Sequence, residues 1–445
     1  MKNSPFSAEI YAGLNVAIAM VMLFNSKLSV VYSIIILLAG VYAIFKNKNM
    51  DGAAHIYAAY VVGIEVLLRM NSGGFGYEFG KYATIVFLVL GILVGKRNRK
   101  LPVSFIAFIL LMVPSIFFVD YPTFDMSRQM VSFNISGPVT LGIAGIYFYR
   151  RKIPIQQLRK TFLAMLYPII AMSIFVYFRS GSLEDVDFTT ESNFQASGGF
   201  GPNQVSTMFG LGILIIAAAY FLNIRLFRVK NLNIILLLAF LIRGLATFSR
   251  GGMLAPIVAI FLCVVIMSVT DASFQDKMNR VVYIFMALFV VSVVGFYYVN
   301  EVSGGLLEMR FKGESMYDKE KSNMFSGRLE IFEEDIEVFQ DNVLTGVGPG
   351  MASEKRAEIS GVFAAAHIEY SRLLAEHGLF GIIAILIMVL FPVSTFFKLK
   401  SGDEKIMLIL CTVFVFITLG HAAMRLAAPG FIYGLGFIYI FRKRS

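Results

Sequence analysis

Apolar runs of roughly 15 to 20 residues, broken by short polar connections, fill most of the chain. A spanning helix needs ~20 mostly apolar residues. On that measure about fourteen runs are candidates: 8–25, 28–45, 53–70, 82–96, 102–119, 136–150, 161–178, 204–222, 231–248, 252–270, 281–299, 378–397, 405–421 and 429–442. Lys2 precedes the first run, as in a signal peptide, but more apolar residues and a second run follow Ala17 and Ala19, so a retained helix is expected. Residues 300–377 break the pattern, being polar and charged. Within them Leu329, Phe332, Ile336 and Phe339 repeat at helical spacing, with Ser326 placed to cap the start. Gly346, Gly348, Pro349 and Gly350 then force a turn, and a second helix is expected around AAAHIEYSRLLAEHG, ending near Gly378. The pattern predicts an all-α polytopic membrane bundle in three parts. These are a first group of spans (1–299), a large external helical loop (300–377) and the last spans (378–445).

Composition agrees: 57% of the 445 residues are hydrophobic and 15% charged, and the mean hydropathy is +0.73. Soluble domains average ~25% charged residues, so a soluble enzyme, a disordered chain and a disulfide scaffold are excluded. Cys263 and Cys411 lie inside apolar runs and read as small buried hydrophobes. The net charge of +10 comes from clusters between the runs, which points to membrane topology and not to nucleic acid. Lys46 and Lys48, KRNRK at 96–100, RRK at 150–152, Arg225 and Arg228, Lys277 and Arg280, Lys398 and Lys400, and the final FRKRS all fall on one side if there are fourteen spans. By the positive-inside rule that side is the cytoplasm, with both termini there. The alternate connections include the acidic group Glu184, Asp185, Asp187 and Glu191.

The polar residues that could act together all lie on the opposite, external face. Charges within or beside spans are costly and usually functional. Arg250, in ATFSRGGML, sits at an external turn that opens a helix. Such a turn offers backbone N–H groups and a guanidinium to an anion, or it is a tight turn with a snorkelling arginine. Arg328 opens the first loop helix, either as a phosphate ligand or as a surface residue paired to glutamate. His367 can serve as a general base near neutral pH or as a packing residue. Glu369 and Arg372 crowd the same segment, and Arg372 can pair with Glu376. Glu65 and Arg69 stand four apart as a clamp or as part of the site; Asn203, after Pro202, opens a helix or supplies a polar patch; His421 and Arg425 could complete a positive rim. No P-loop, GxGxxG, HExxH, CxxC or GxSxG motif occurs in a supporting context. An external site cut off from cytoplasmic nucleotides needs a substrate that is already energised, and a lipid-linked pyrophosphate would serve.

In order, GGFGPNQVS, SRGG, the GR that opens an amphipathic helix, GVGPG and HIEYSRLLAEHGLFG resemble the O-antigen ligase and O-antigen polymerase superfamily (WaaL and Wzy types). The motifs cover about 190–385, and the topology covers the whole chain. The resemblance implies a GT-C-like, multi-pass protein of the bacterial inner membrane, with its active site on the periplasmic face. It implies an inverting glycosyltransferase with no metal or other cofactor, whose donor is a glycan on undecaprenyl pyrophosphate. The acceptor is lipid A-core for a ligase, the leaning here, or another lipid-linked repeat for a polymerase. Arg250 and Arg328 match the family's pyrophosphate-holding arginines, and His367 matches its base. The family commonly has Asn after that histidine; this chain has Ile368, and Glu369 is the expected substitute for orienting the ring. A lipid-glycan flippase is the alternative from another class. It would carry polar residues along a central path and little external cap.

Overall fold

The computed structural model describes residues 7–71, 76–95, 102–229, 231–271, 274, 278–314, 328–361 and 367–442. The expected Ser326 cap and the KRNRK cluster lie outside them. The chain opens with α1 (Ala8–Phe24), α2 (Leu28–Lys46), α3 (Ala53–Met70), α4 (Phe79–Val94) and α5 (Val103–Leu110). Then come α6 (Phe124–Phe148), α7 (Ile155–Ser180), α8 (Pro202–Phe221), α9 (Leu232–Ala246), α10 (Arg250–Thr270) and α11 (Met278–Val302). The short helices α12 (Leu306–Lys312), α13 (Arg328–Asp341) and α14 (Ala352–Ser360) form a cap, and α15 (Glu369–Lys398), α16 (Gly402–Leu419) and α17 (Ala427–Leu435) follow.

Seven of these helices, among the described residues, are long and apolar enough to cross a membrane, and the second half of α11 with α12 makes an eighth, bent by 113°. The fold is an all-α, multi-pass membrane bundle. Its centre and rim differ in burial. The most apolar stretches of α8 and α3 are 94% and 83% buried, against 28% for α2 and 22% for α15. The rim exposes large apolar side chains such as Leu38, Phe45, Phe289, Leu386, Leu390 and Phe397. Exposure on that scale would be an aggregation liability in water and suits hydrocarbon. Between central helices the contacts are close where a glycine lets a neighbouring backbone approach. A Cβ on Gly434 of α17 would fall 2.5 Å from the carbonyl carbon of Ala144 on α6, and one on Gly63 of α3 would fall 2.5 Å from the Met165 carbonyl oxygen on α7.

The basic connections gather at one end of the bundle. Lys152–Pro154 pairs in parallel with Tyr439–Phe441. Arg159 donates to the Arg225 and Leu226 carbonyls. Glu9 accepts from the Arg228 and Val229 amides, and Arg442 pairs with Asp403 at 2.9 Å. At the other end Ser29 meets Asn71, and Ser115 meets His377. That end carries the cap.

Four expectations change. α6 begins at Phe124, well before the predicted 136, because Thr123 accepts from the Met126 amide at 3.3 Å and starts a polar extension that reaches Arg372 through Asn134. The run 102–119 is broken: α5 ends at Leu110, and a separate 3-10 turn begins at Pro114. The run 429–442 is no full helix, since α17 has nine residues and the chain continues extended in the Tyr439–Phe441 strand. An unforeseen helix, α14, lies between the glycine turn and His367. The expected helix end near Gly378 is present as a break inside α15, at φ 57° and ψ −132°.

Candidate functional site

Arg250 is the first residue of α10, and the two glycines after it explain its placement. A Cβ on Gly252 would fall 2.2 Å from Ser206 Oγ, and one on Gly251 would fall 2.3 Å from the His421 ring. Without side chains there, α10 closes against α8 and against the turn after α16. Phe248, two residues earlier, is held at φ 56°, a left-handed conformation that costs a bulky residue roughly 1–3 kcal/mol. Stacking on Phe188, with centroids 5.1 Å apart, helps to hold it.

Asn203, in the first turn of α8, is the junction. Its Oδ1 accepts from Ser249 Oγ at 2.8 Å and, at 3.5 Å, from Nη2 of Arg328, the first residue of α13. Arg250 donates to the Arg310 carbonyl at 2.9 Å, and Arg310 itself reaches Glu191 at 3.4 Å. Arg250, Arg310, Arg328 and Arg425 therefore share one corner. Burial, with the charges of Arg310, Arg250 and Arg425, pushes the Arg328 guanidinium down to about 10. Like charges crowded out of water favour an anion between them.

His367 lies just before α15 and not within a helix. Its Nδ1 is buried without a hydrogen-bond partner. Burial first, then the charges of Arg425, Arg328, His421 and Arg356, lower its pKa to about 4. The ring is thus neutral at pH 7 and has a nitrogen lone pair to offer. His421 stands beside Thr207, with Nε2 at 3.2 Å from Oγ1, and its Nδ1 lies 3.1 Å from the Ile417 carbonyl, which fits a donating Nδ1–H.

The other predicted residues form a buried frame. Glu369 does not orient His367. Its Oε2 accepts from the Met424 amide at 3.0 Å, and its second oxygen pairs with Arg372. Arg372 also pairs with Glu376 at 2.9 Å and reaches Asn134 Oδ1 at 3.1 Å. Glu65 accepts from the Ala427 amide at 2.8 Å and pairs with Arg69 at 2.6 Å; Arg69 continues to Gln204 at 3.3 Å. Two neutralised carboxylates thereby grip the chain on either side of Arg425. Ala423, two residues before that arginine, is held at φ 51°, much as Phe248 precedes Arg250.

The glycine turn is structural. The Val347 and Gly348 amides donate to the Ala375 and Glu376 carbonyls at 3.0 and 3.1 Å, and the Leu379 amide to the Val343 carbonyl at 2.8 Å. The turn is thus bound to the hinge at Gly378. His377, beside that hinge, is spent on Ser115 Oγ at 2.5 Å. Sequence reasoning missed Arg310 and Arg356. Arg310 sits in LLEMRFK, which reads as an ordinary surface helix and reaches the corner only through the 113° bend. Arg356 is buried against Asp335 in the unforeseen α14.

The fold is that of a multi-pass membrane protein, and four arginines cluster at one end of its bundle. Residues 234–386 match the family model described as O-antigen ligase. The match supports the O-antigen ligase and polymerase superfamily and indicates a membrane glycan transferase of that type. It includes Arg250, Arg310, Arg328 and His367, whereas Asn203, His421 and Arg425 lie outside it. No curated protein matches the chain.

Proposed function

We propose that this protein moves a glycan from an undecaprenyl-pyrophosphate-linked donor to an acceptor hydroxyl, with inversion, on the external face of the bacterial inner membrane. The observation that carries this reading is the Asn203 junction, which ties Ser249, beside Arg250, and Arg328 of α13 to one corner, where the Arg328 charge acts on a neutral histidine from a third segment. The donor diphosphate lies against Arg250 and Arg328, with Arg310 as a third cation. His367 takes the proton of the acceptor hydroxyl. That oxygen bonds to the anomeric carbon from the face opposite the diphosphate, the carbon–oxygen bond to phosphate breaks, and undecaprenyl pyrophosphate leaves with the electron pair. The arginines stabilise the negative charge as it develops on the leaving group. Asn203, Glu369, Arg372 and Arg69 act at one remove, by holding the corner and the Arg425 turn.

A ligase acceptor, lipid A-core, is favoured by the motifs of the His367 segment; a polymerase acts on a second lipid-linked repeat. The test is transfer by the purified protein in detergent, without any membrane gradient. His367→Ala and Arg328→Ala are expected to abolish transfer with expression and fold intact; transfer at the natural rate in either variant overturns the assigned roles. Absence of transfer by the natural protein to both acceptor classes overturns the enzyme reading and favours a flippase. In a deletion strain, loss of long surface glycan with accumulation of lipid-linked polymer identifies the ligase, and a single capped repeat identifies the polymerase.

A further inference from the structure

The acidic connection between α7 and α8 is a charged motif to which the mechanism above gives no task. Its course is fixed at two points. Phe188 stacks on Phe248, with centroids 5.1 Å apart, and the Asn193 amide donates to the Thr247 carbonyl at 2.8 Å. The Asn193 side chain closes the loop on itself, donating to the Asp187 carbonyl at 2.8 Å and accepting from the Ala196 amide at 2.7 Å. Glu191 lies between those two anchors, so the stretch that leads into Arg250 also positions a carboxylate.

Glu191 Oε2 meets Arg310 Nη1 at 3.4 Å, and its charge acts on Arg250 as well. Three features set this pair apart from the buried pairs of the frame. The first is unequal exposure: the Arg310 side chain is 10% exposed and that of Glu191 68%. The acid can leave into water while the cation stays, and a pair with so exposed a partner is weak. The second is unspent capacity on the cation. Nε of Arg310 is buried without a hydrogen-bond partner among the described residues, whereas phosphate oxygens suit the whole guanidinium fork. The third is place. The Arg310 carbonyl accepts from Arg250 at 2.9 Å, and the Arg310 charge acts on Arg328. The guanidinium that Glu191 holds thus belongs to the corner assigned to the diphosphate.

The reaction gives such a pair a task. Transfer replaces a bond from the diphosphate to carbon by an ionised oxygen, so the departing undecaprenyl pyrophosphate carries roughly one more negative charge than the donor did. Arginines alone would therefore hold the product more tightly than the donor. A carboxylate that competes for one of them works in the opposite sense.

We propose that Glu191 is a displaceable counter-ion: it occupies Arg310 in the empty site, yields that guanidinium to the diphosphate, and reclaims it as the product leaves. This role rests on the transferase reading, and the test separates the two. Inorganic pyrophosphate is titrated by calorimetry into the full-length protein in detergent. Glu191→Gln should tighten binding about fivefold, the factor for an exposed pair at the upper end of its range, while Glu184→Gln, a control for charge in the same connection, should leave it unchanged. The gain should vanish in an Arg310→Gln background, as a double-mutant cycle requires of a direct contact. In transfer assays Glu191→Gln should lower both KM for the lipid-linked donor and kcat, with a burst of product in the first turnover. Equal pyrophosphate affinity in Glu191→Gln and the natural protein, or a gain that survives Arg310→Gln, overturns the role of Glu191 and leaves the diphosphate site standing. An unchanged kcat without a burst overturns its part in product release. No pyrophosphate binding by any of these proteins overturns the diphosphate site and this role with it. The Glu191 effect on pyrophosphate in a protein that transfers no glycan keeps the counter-ion and removes the transferase.

Discussion

The proton acceptor in the proposed reaction is neutral His367, and its surroundings set the pH at which that species is lost. Burial and the neighbouring arginines bring its pKa from 6.5 to about 4. At a pH of about 5, roughly nine-tenths of such an imidazole is neutral, whereas an ordinary histidine would be about 3% neutral, a difference of about thirty-fold in active species. The value of kcat/KM, which reports the free enzyme, should therefore hold to about pH 5 and halve near pH 4. A bound diphosphate cancels part of the Arg328 field at the ring, so the acid limb of kcat, which reports the bound state, lies at higher pH. Arg425→Gln removes the largest charge acting on the ring and should move the kcat/KM midpoint upward. The assay is the initial rate of glycan transfer at limiting and saturating donor from about pH 4 to 8, with circular dichroism at each pH. The linkage to stability has a definite sign. The unfolded chain binds the proton near 6.5 and the folded chain only near 4, so the contribution of the neutral ring is complete above the upper value and is lost as pH falls toward the lower one. A kcat/KM midpoint at the ordinary histidine value, unmoved by Arg425→Gln, would refute the placement of His367 among the arginines.

Two further outcomes test the frame around the site. Gly346 has φ 68°, and a Cβ there would fall 2.3 Å from the Glu376 carbonyl carbon, so Gly346→Ala should cost at least the ~1–3 kcal/mol of a forced left-handed residue and make the cap more sensitive to limited proteolysis; an unchanged cleavage pattern and Tm would contradict the described contact. Arg356→Met leaves Asp335 buried without its cation, which typically costs ~3–5 kcal/mol. Thermal unfolding should show that loss and its recovery in Arg356→Met with Asp335→Leu, and equal Tm values in all three proteins would show that the pair does not hold α13 to α14.

The all-α bundle was legible in the sequence because long apolar runs report directly on hydrocarbon. Its departures arise where protein replaces lipid as the neighbour. The FDMSRQMVSFN segment is polar where α6 meets Arg372 through Asn134, and α17 gives way to an extended strand that pairs with Lys152–Pro154. The site divides in the same way. Arg250, Arg328 and His367 stood out as polar residues at the ends of apolar runs. Arg310 did not, because a bend in the backbone and no local pattern carries it to the corner. The use of Glu369 on the Met424 amide was hidden as well, since the two are distant in sequence.

The Glu65 carboxylate and the Lys152–Pro154 strand have consequences for biosynthesis, because both take their partners from late in the chain, the Ala427 amide and Tyr439–Phe441. Translation delivers α3 and α7 to the bilayer long before either partner leaves the ribosome. A nascent chain stalled ahead of α17 would hold inserted helices but no anchored Arg425. A chain that ends ahead of α17 would therefore lack the frame that holds the Arg425 turn.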